Sequence, residues 1–98
     1  MDVSTEISRL IEESRALERG GHIPAAIHRA VQARQLAQAS NDTENEAAAL
    51  NALADAHIRL GHYPQAVTFS QAALALTGPE SRVRAEALLN ISICASET

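Results

Sequence analysis

Four histidines, His22, His28, His57 and His62, are the side chains best suited to hold a metal ion, and their spacing argues against it. Two imidazoles share a helix face when they stand three or four residues apart, and no pair here does. His22 and His62 each follow a glycine and read as turn or surface residues. His57 falls on an apolar stripe and reads as a packed or partly buried ring. The single cysteine, Cys94, lies in an apolar stretch where a thiolate is disfavoured, so it reads as inert, and it has no second cysteine to pair with. No glycine-rich phosphate loop and no serine in a strand-turn-helix setting is present. Glu12, Glu13, Glu18 and Asp55 are of the type used in acid/base catalysis, but nothing gathers them into a pocket, and solvated helix faces account for them. The expectation is a chain with no catalytic residues, no metal site and no cofactor, hence not an enzyme.

Composition narrows the alternatives. All eight basic residues are Arg, against twelve acids, which gives a net charge of -4. With one Phe, one Tyr and no Trp, the chain lacks both the positive field and the stacking surfaces that nucleic acids require. No stretch approaches the ~20 apolar residues of a membrane span, and the N-terminus carries early acids where a secretory leader has an apolar run. These features predict a cytoplasmic protein with no nucleic-acid or membrane partner. The all-Arg basic set is the expected mark of a GC-rich, bacterial source.

Ala supplies twenty of the 98 residues, so the core must form by close approach of helices. Ala is the best helix former, and Gly and Pro fall in clusters that leave long stretches free to coil. The class read from this is all-α. An internal repeat then fixes the organisation. Gly21-His22-Ile23-Pro24-Ala25-Ala26-Ile27 matches Gly61-His62-Tyr63-Pro64-Gln65-Ala66-Val67 at an offset of forty, with four identities in seven. Gly ends one helix and Pro opens the next, so each segment reads as the turn of a helical hairpin. Ile7, Leu10, Ile11, Ser14 and Leu17 form the stripe upstream of the first turn, and Leu50, Leu53, Ala54 and His57 the stripe upstream of the second. Thr43 with Glu46 has the spacing of a capping box, and Gly78-Pro79-Glu80 reads as the start of a fifth helix. The predicted spans are 4–19, 24–39, 44–60, 64–76 and 79–96. They make one domain over 1–98, with hairpins at about 4–39 and 44–76 and an unpaired or capping helix at about 79–96.

These residues resemble the tetratricopeptide repeat family, whose hairpins carry a W-x2-L-G-x2-Y…A-x3-F…P pattern. In the second hairpin Leu50, Leu53, Ala54, His57, Ala66 and Ser70 stand at those places, and Gly78-Pro79 supplies the closing turn. In the first, the more divergent, Leu10, Glu13, Ser14, Leu17, Ala26 and Ala30 do. The likeness spans nearly the whole chain as two and a half repeats. It implies a right-handed superhelical array of antiparallel hairpins and a protein or peptide as partner. The implied groove is lined by Ser8, Ile11, Arg15 and Arg19, by Ala48, Asn51, Asp55, Ile58 and Arg59, and by Glu86 and Leu89. Within it Arg15, Asn51 and Arg59 are expected to hydrogen-bond a ligand backbone or carboxylate, and Asp55 to favour a basic group. The clamp for acidic tails found in some members is not reproduced, since the chain has no Lys and Ile11, Arg15 and Ala52 hold its places.

The fifth helix is apolar nearly all round, through Val83, Leu88, Leu89, Ile91, Ile93 and Cys94, and such surface marks interaction sites. Such a helix is sunk against the preceding hairpin, packs on another copy of the chain, or continues into a longer array; Val83, Leu88 and Ile91 are the candidates for self-association as a homodimer. Taken together, the expectation is a non-catalytic protein-interaction scaffold. The alternative is an N-terminal sensor or oligomerisation domain of a longer signalling or transcription regulator, self-associating through the last helix.

Overall fold

The computed structural model describes residues 2–97 and is all-helical over them. Five helices follow in order: α1 (Val3–Arg19), α2 (Ile23–Ala39), α3 (Thr43–Arg59), α4 (Tyr63–Ala75) and α5 (Arg82–Glu97). Each packs on its neighbour in sequence as an antiparallel hairpin, and α3 also touches α1 and α5. The expected all-α hairpin array is thus the observed architecture, with the first four helices placed to within a residue or so at each end.

Three of the four connections are built alike. Gly21, Asn41 and Gly61, at an interval of twenty residues, take positive φ of 83°, 56° and 76°. At each, the residue's own amide and the next one turn back onto the end of the finished helix. His22 N–H donates to the Leu17 carbonyl at 2.8 Å, Asp42 N–H to that of Ala37 at 2.9 Å, and His62 N–H to that of His57 at 2.8 Å. Such 6→1 closures satisfy carbonyls that a helix end otherwise leaves bare. Pro24 and Pro64 then sit inside the first turns of α2 and α4. The cap of α3 falls one residue earlier than the Thr43–Glu46 box predicts. Asp42 accepts from the Asn45 backbone amide at 3.2 Å and from the Asn45 side-chain amide at 2.8 Å, its two carboxylate oxygens holding both where a threonine hydroxyl offers one acceptor.

The fourth connection differs. Gly78-Pro79-Glu80 does not start α5; the helix begins at Arg82, three residues after the expected boundary. A glycine before Pro79 offers no side chain to cap the new helix, whereas Ser81 does. Its Oγ accepts from the Val83 amide at 3.1 Å and donates to Glu44 at 2.6 Å. Arg84 closes the other side by donating to the carbonyls of Leu74 and Thr77 at 3.2 and 3.3 Å.

The core is shallow and made largely of alanine. The principal extents of the molecule are 42 × 32 × 17 Å, and the smallest is less than two helix diameters. Three small clusters replace one large one. Ile7 and Leu10 of α1 meet Ala33 and Ala37 of α2 and Ala49 of α3. Leu50 and Leu53 of α3 meet Ala30, Ala73 and Ala87, with Ile27, Phe69 and Val83 at the margin. Ala54, Ala66 and Cys94 form the third. Ser14, buried on α1, donates to the Ala26 carbonyl of α2 at 2.7 Å and ties the first hairpin together.

A candidate interaction groove on α1, α3 and α5

The odd-numbered helices lie side by side and line a cleft of about 340 Å³ bounded by Arg15, Glu18, Arg19, Asp55, Ile58, Arg59, Asn90 and Ile93. Arg15 reaches across from α1. Its guanidinium pairs with Asp55 of α3 at 2.6 Å and with Glu86 of α5. One cation thus serves two carboxylates forty and seventy-one residues away. Burial alone would lower the Arg15 pKa, but the charges of Glu86 and Asp55 outweigh it and raise the value above the ordinary one. Asp55 bears the opposite consequence. Burial pushes its carboxyl upward, Arg15 offsets part of that, and the nearby Glu86 and Glu18 charges add to it. Arg59 extends the network at the other end, donating to the Glu18 carbonyl at 3.0 Å with its side chain near the Glu18 carboxylate.

The structure therefore brings Arg15, Asp55, Glu86 and Arg59 to one groove, but already engaged, the first three with one another and Arg59 with Glu18, and not as free groups awaiting a ligand. Leu89 lies on α5, 59% exposed. Asn51 requires a correction. It is only 1% exposed and donates through Nδ2 to the Val83 carbonyl at 2.8 Å, so it holds α3 to α5 and does not face a ligand. Helix packing at that position leaves no room for solvent, and a buried amide must find a backbone partner.

Three groove residues were not among the expected ones. Glu18 sits one turn after Arg15. Ile93 is partly exposed at the cleft margin. Asn90 is 3% exposed, lines the cleft, and keeps Nδ2 without a hydrogen-bond partner. A buried amide donor left unmade costs about 1–3 kcal/mol, so this group is poised to donate to an acceptor brought into the cleft. The only sequence signal for it is a single polar residue inside the run Leu88-Leu89-Asn90-Ile91.

The self-association residues separate in the same way. Leu88 is half exposed and Ile91 partly so, but Val83 packs against the α3 cluster and does not present a free face, because α5 turns that edge toward Leu50 and Leu53. Elsewhere the fold brings His57 and His62 together, Nδ1 to Nδ1 at 3.4 Å, with His57 stacked on Phe69 at 5.3 Å between centroids. Burial, then the His62 charge, lowers the His57 pKa. Among the described residues no group of three His, Cys, Asp or Glu side chains is placed to hold a metal ion. Burial also raises the Cys94 thiol pKa, which suits a packed, unreactive sulfur. No helix is long and apolar enough to cross a membrane among the described residues. Compared with family models, with curated proteins and with solved structures, the chain matches none.

Proposed function

We propose that this chain is a non-catalytic module that binds a protein or peptide segment along the α1–α3–α5 groove. The observation that carries this reading is the buried, unpartnered Asn90 amide beside the Arg15–Asp55–Glu86 network. An extended peptide supplies what that amide lacks, a backbone carbonyl. Ile58 and Ile93 offer apolar contact on either side. Three Arg and three acids face the cleft, counting Glu86, so the groove is charge-balanced, and a charged ligand binds by exchanging one ion pair for another. The tetratricopeptide-like turns and stripes support the same reading, as an analogy of fold.

Selection of a randomised peptide display library on the immobilised protein tests it. Enriched peptides should lose binding to Asn90→Ala and Arg15→Ala, and keep it with Glu12→Ala on the outer face. No enrichment, or enrichment indifferent to both groove variants, overturns the reading.

A further inference from the structure

Position by position, α5 repeats α3, and burial fixes the register. Ala49, Ala52 and Ala56 are buried on α3, and thirty-eight residues later Ala87, Asn90 and Cys94 are buried on α5. In that register Leu88 and Ile91 stand where Leu50 and Leu53 stand. Those two leucines are covered by Phe69 and Ala73 of α4, with Ile27 of α2 at the margin. On α5 the same seam is open. Leu88 is 50% exposed, and beside it runs an apolar cleft of about 540 Å³ lined by Tyr63, Pro64, Val67, Ile91, Cys94 and Ala95. A place for one more helix is fully formed and unfilled by this chain's described residues.

What fills it follows from charge. No Asp, Glu or Arg occurs in residues 60–79 or 87–96, which make up most of α4 and α5. Depletion of charge marks the centre of a protein interface. The other end of the array is the reverse: α1 exposes Arg9, Glu12 and Arg19. Head-to-tail stacking would bury those charges against an apolar seam, at the desolvation cost of unpaired ions. Tail-to-tail contact matches apolar with apolar. It also closes on itself, whereas head-to-tail contact would polymerise. The seam is complementary to itself as well. Two antiparallel copies of α5 related by a two-fold axis between Leu89 and Asn90 place Leu88 opposite the partner's Ile91, and the converse.

We propose that the Leu88–Ile91 face of α5, with the adjoining Tyr63–Val67 edge of α4, docks onto the same face of a second copy to form a two-fold dimer. This surface is separate from the groove and does not depend on it.

Light scattering with analytical ultracentrifugation of the purified chain tests the proposal. The expected mass at micromolar concentration is twice that of the 10.4 kDa chain. Leu88→Glu and Ser92→Arg, both at exposed positions, should give monomers with unchanged helical circular dichroism, while Arg59→Ala in the groove should leave the dimer intact. A monomer for the wild type overturns the proposal and leaves the seam to a different protein. A dimer that survives both Leu88→Glu and Ser92→Arg, or a concentration-dependent ladder of higher species, overturns the two-fold placement.

Discussion

The two ends of the helix array solve the same problem in opposite ways. At the N-terminal end, α1 has to show water one face, and it does so with charge. Arg9 is held between Glu6 and Glu13 on that helix, and Glu13 also meets Arg29 of α2. At the C-terminal end α5 shows water Leu88, Leu89 and Ile93. The helices' termini differ in the same direction. Both α1 and α3 carry acids in the first turn and bases in the last, as the helix dipole favours, and α5 carries neither. One end presents paired charges to solvent, the other apolar side chains.

Mutations that perturb the two ends and the spine between them test that contrast, beginning with the spine. Leu50→Ala removes a fully buried side chain at the centre of the α3 cluster and should destabilise by ~2–5 kcal/mol. Urea unfolding of dilute protein measures it, and a loss below ~1 kcal/mol would break the view that α3 is the spine. Next in size are the left-handed turns that join successive helices. Gly61→Ala meets no neighbouring atom but forces Cβ into a left-handed conformation, at about 1–2 kcal/mol. Asn41→Gly, at the equivalent joint, should be neutral or slightly stabilising. Equal effects at the two positions would contradict a shared left-handed turn.

Arg15→Ala leaves Asp55 partly buried beside Glu86. The expected loss is ~1–2 kcal/mol, between that of an exposed ion pair and that of a buried one. Arg9→Ala, on the exposed cap, should lose much less, and the ratio of the two distinguishes groove from cap. The pH dependence is smaller. Because the His57 pKa is lowered on folding, the unfolded chain binds more protons below the ordinary value of 6.5, so stability should fall as pH drops through that value toward the folded one. His57→Phe should flatten this limb of the stability curve, and an unchanged slope assigns it to another group. Smallest of all, Leu88→Ser in dilute, monomeric protein should shift stability within about 0.5 kcal/mol, as befits a surface position.

Much of the scaffold is legible in the sequence because its punctuation is local. The Gly-His-x-Pro turns announce themselves, since a left-handed glycine followed by a proline has few other meanings. The equivalent turn at Asn41 is legible only through the Thr43–Glu46 spacing after it, and its left-handed residue is not, because Asn replaces Gly and no Pro follows. Gly78-Pro79 misleads for the complementary reason: it imitates a helix start, while the serine two residues later does the capping. The groove's location is legible from repeat phase, yet its chemistry is not. Arg15 meets Asp55 and Glu86 across large sequence separations, and no local pattern states that one cation will be shared by two carboxylates. Asn51 and Asn90 show the same gap. Both are polar residues in apolar surroundings, and only packing decides that one bonds the backbone while the other keeps a bare donor.

A body 17 Å thick has almost no interior, and that shapes how it opens. Each helix is held by those beside it, so loosening behaves like a zipper released from an end and not like a melting sphere. Amide exchange should then follow position along the array. The slowest hydrogens should lie in α3, which has neighbours on every side but the groove, and protection should decay toward α5. A second copy seated on α5 would move that free end to the far side of the pair and leave the two groove-bearing halves joined at their softest edge.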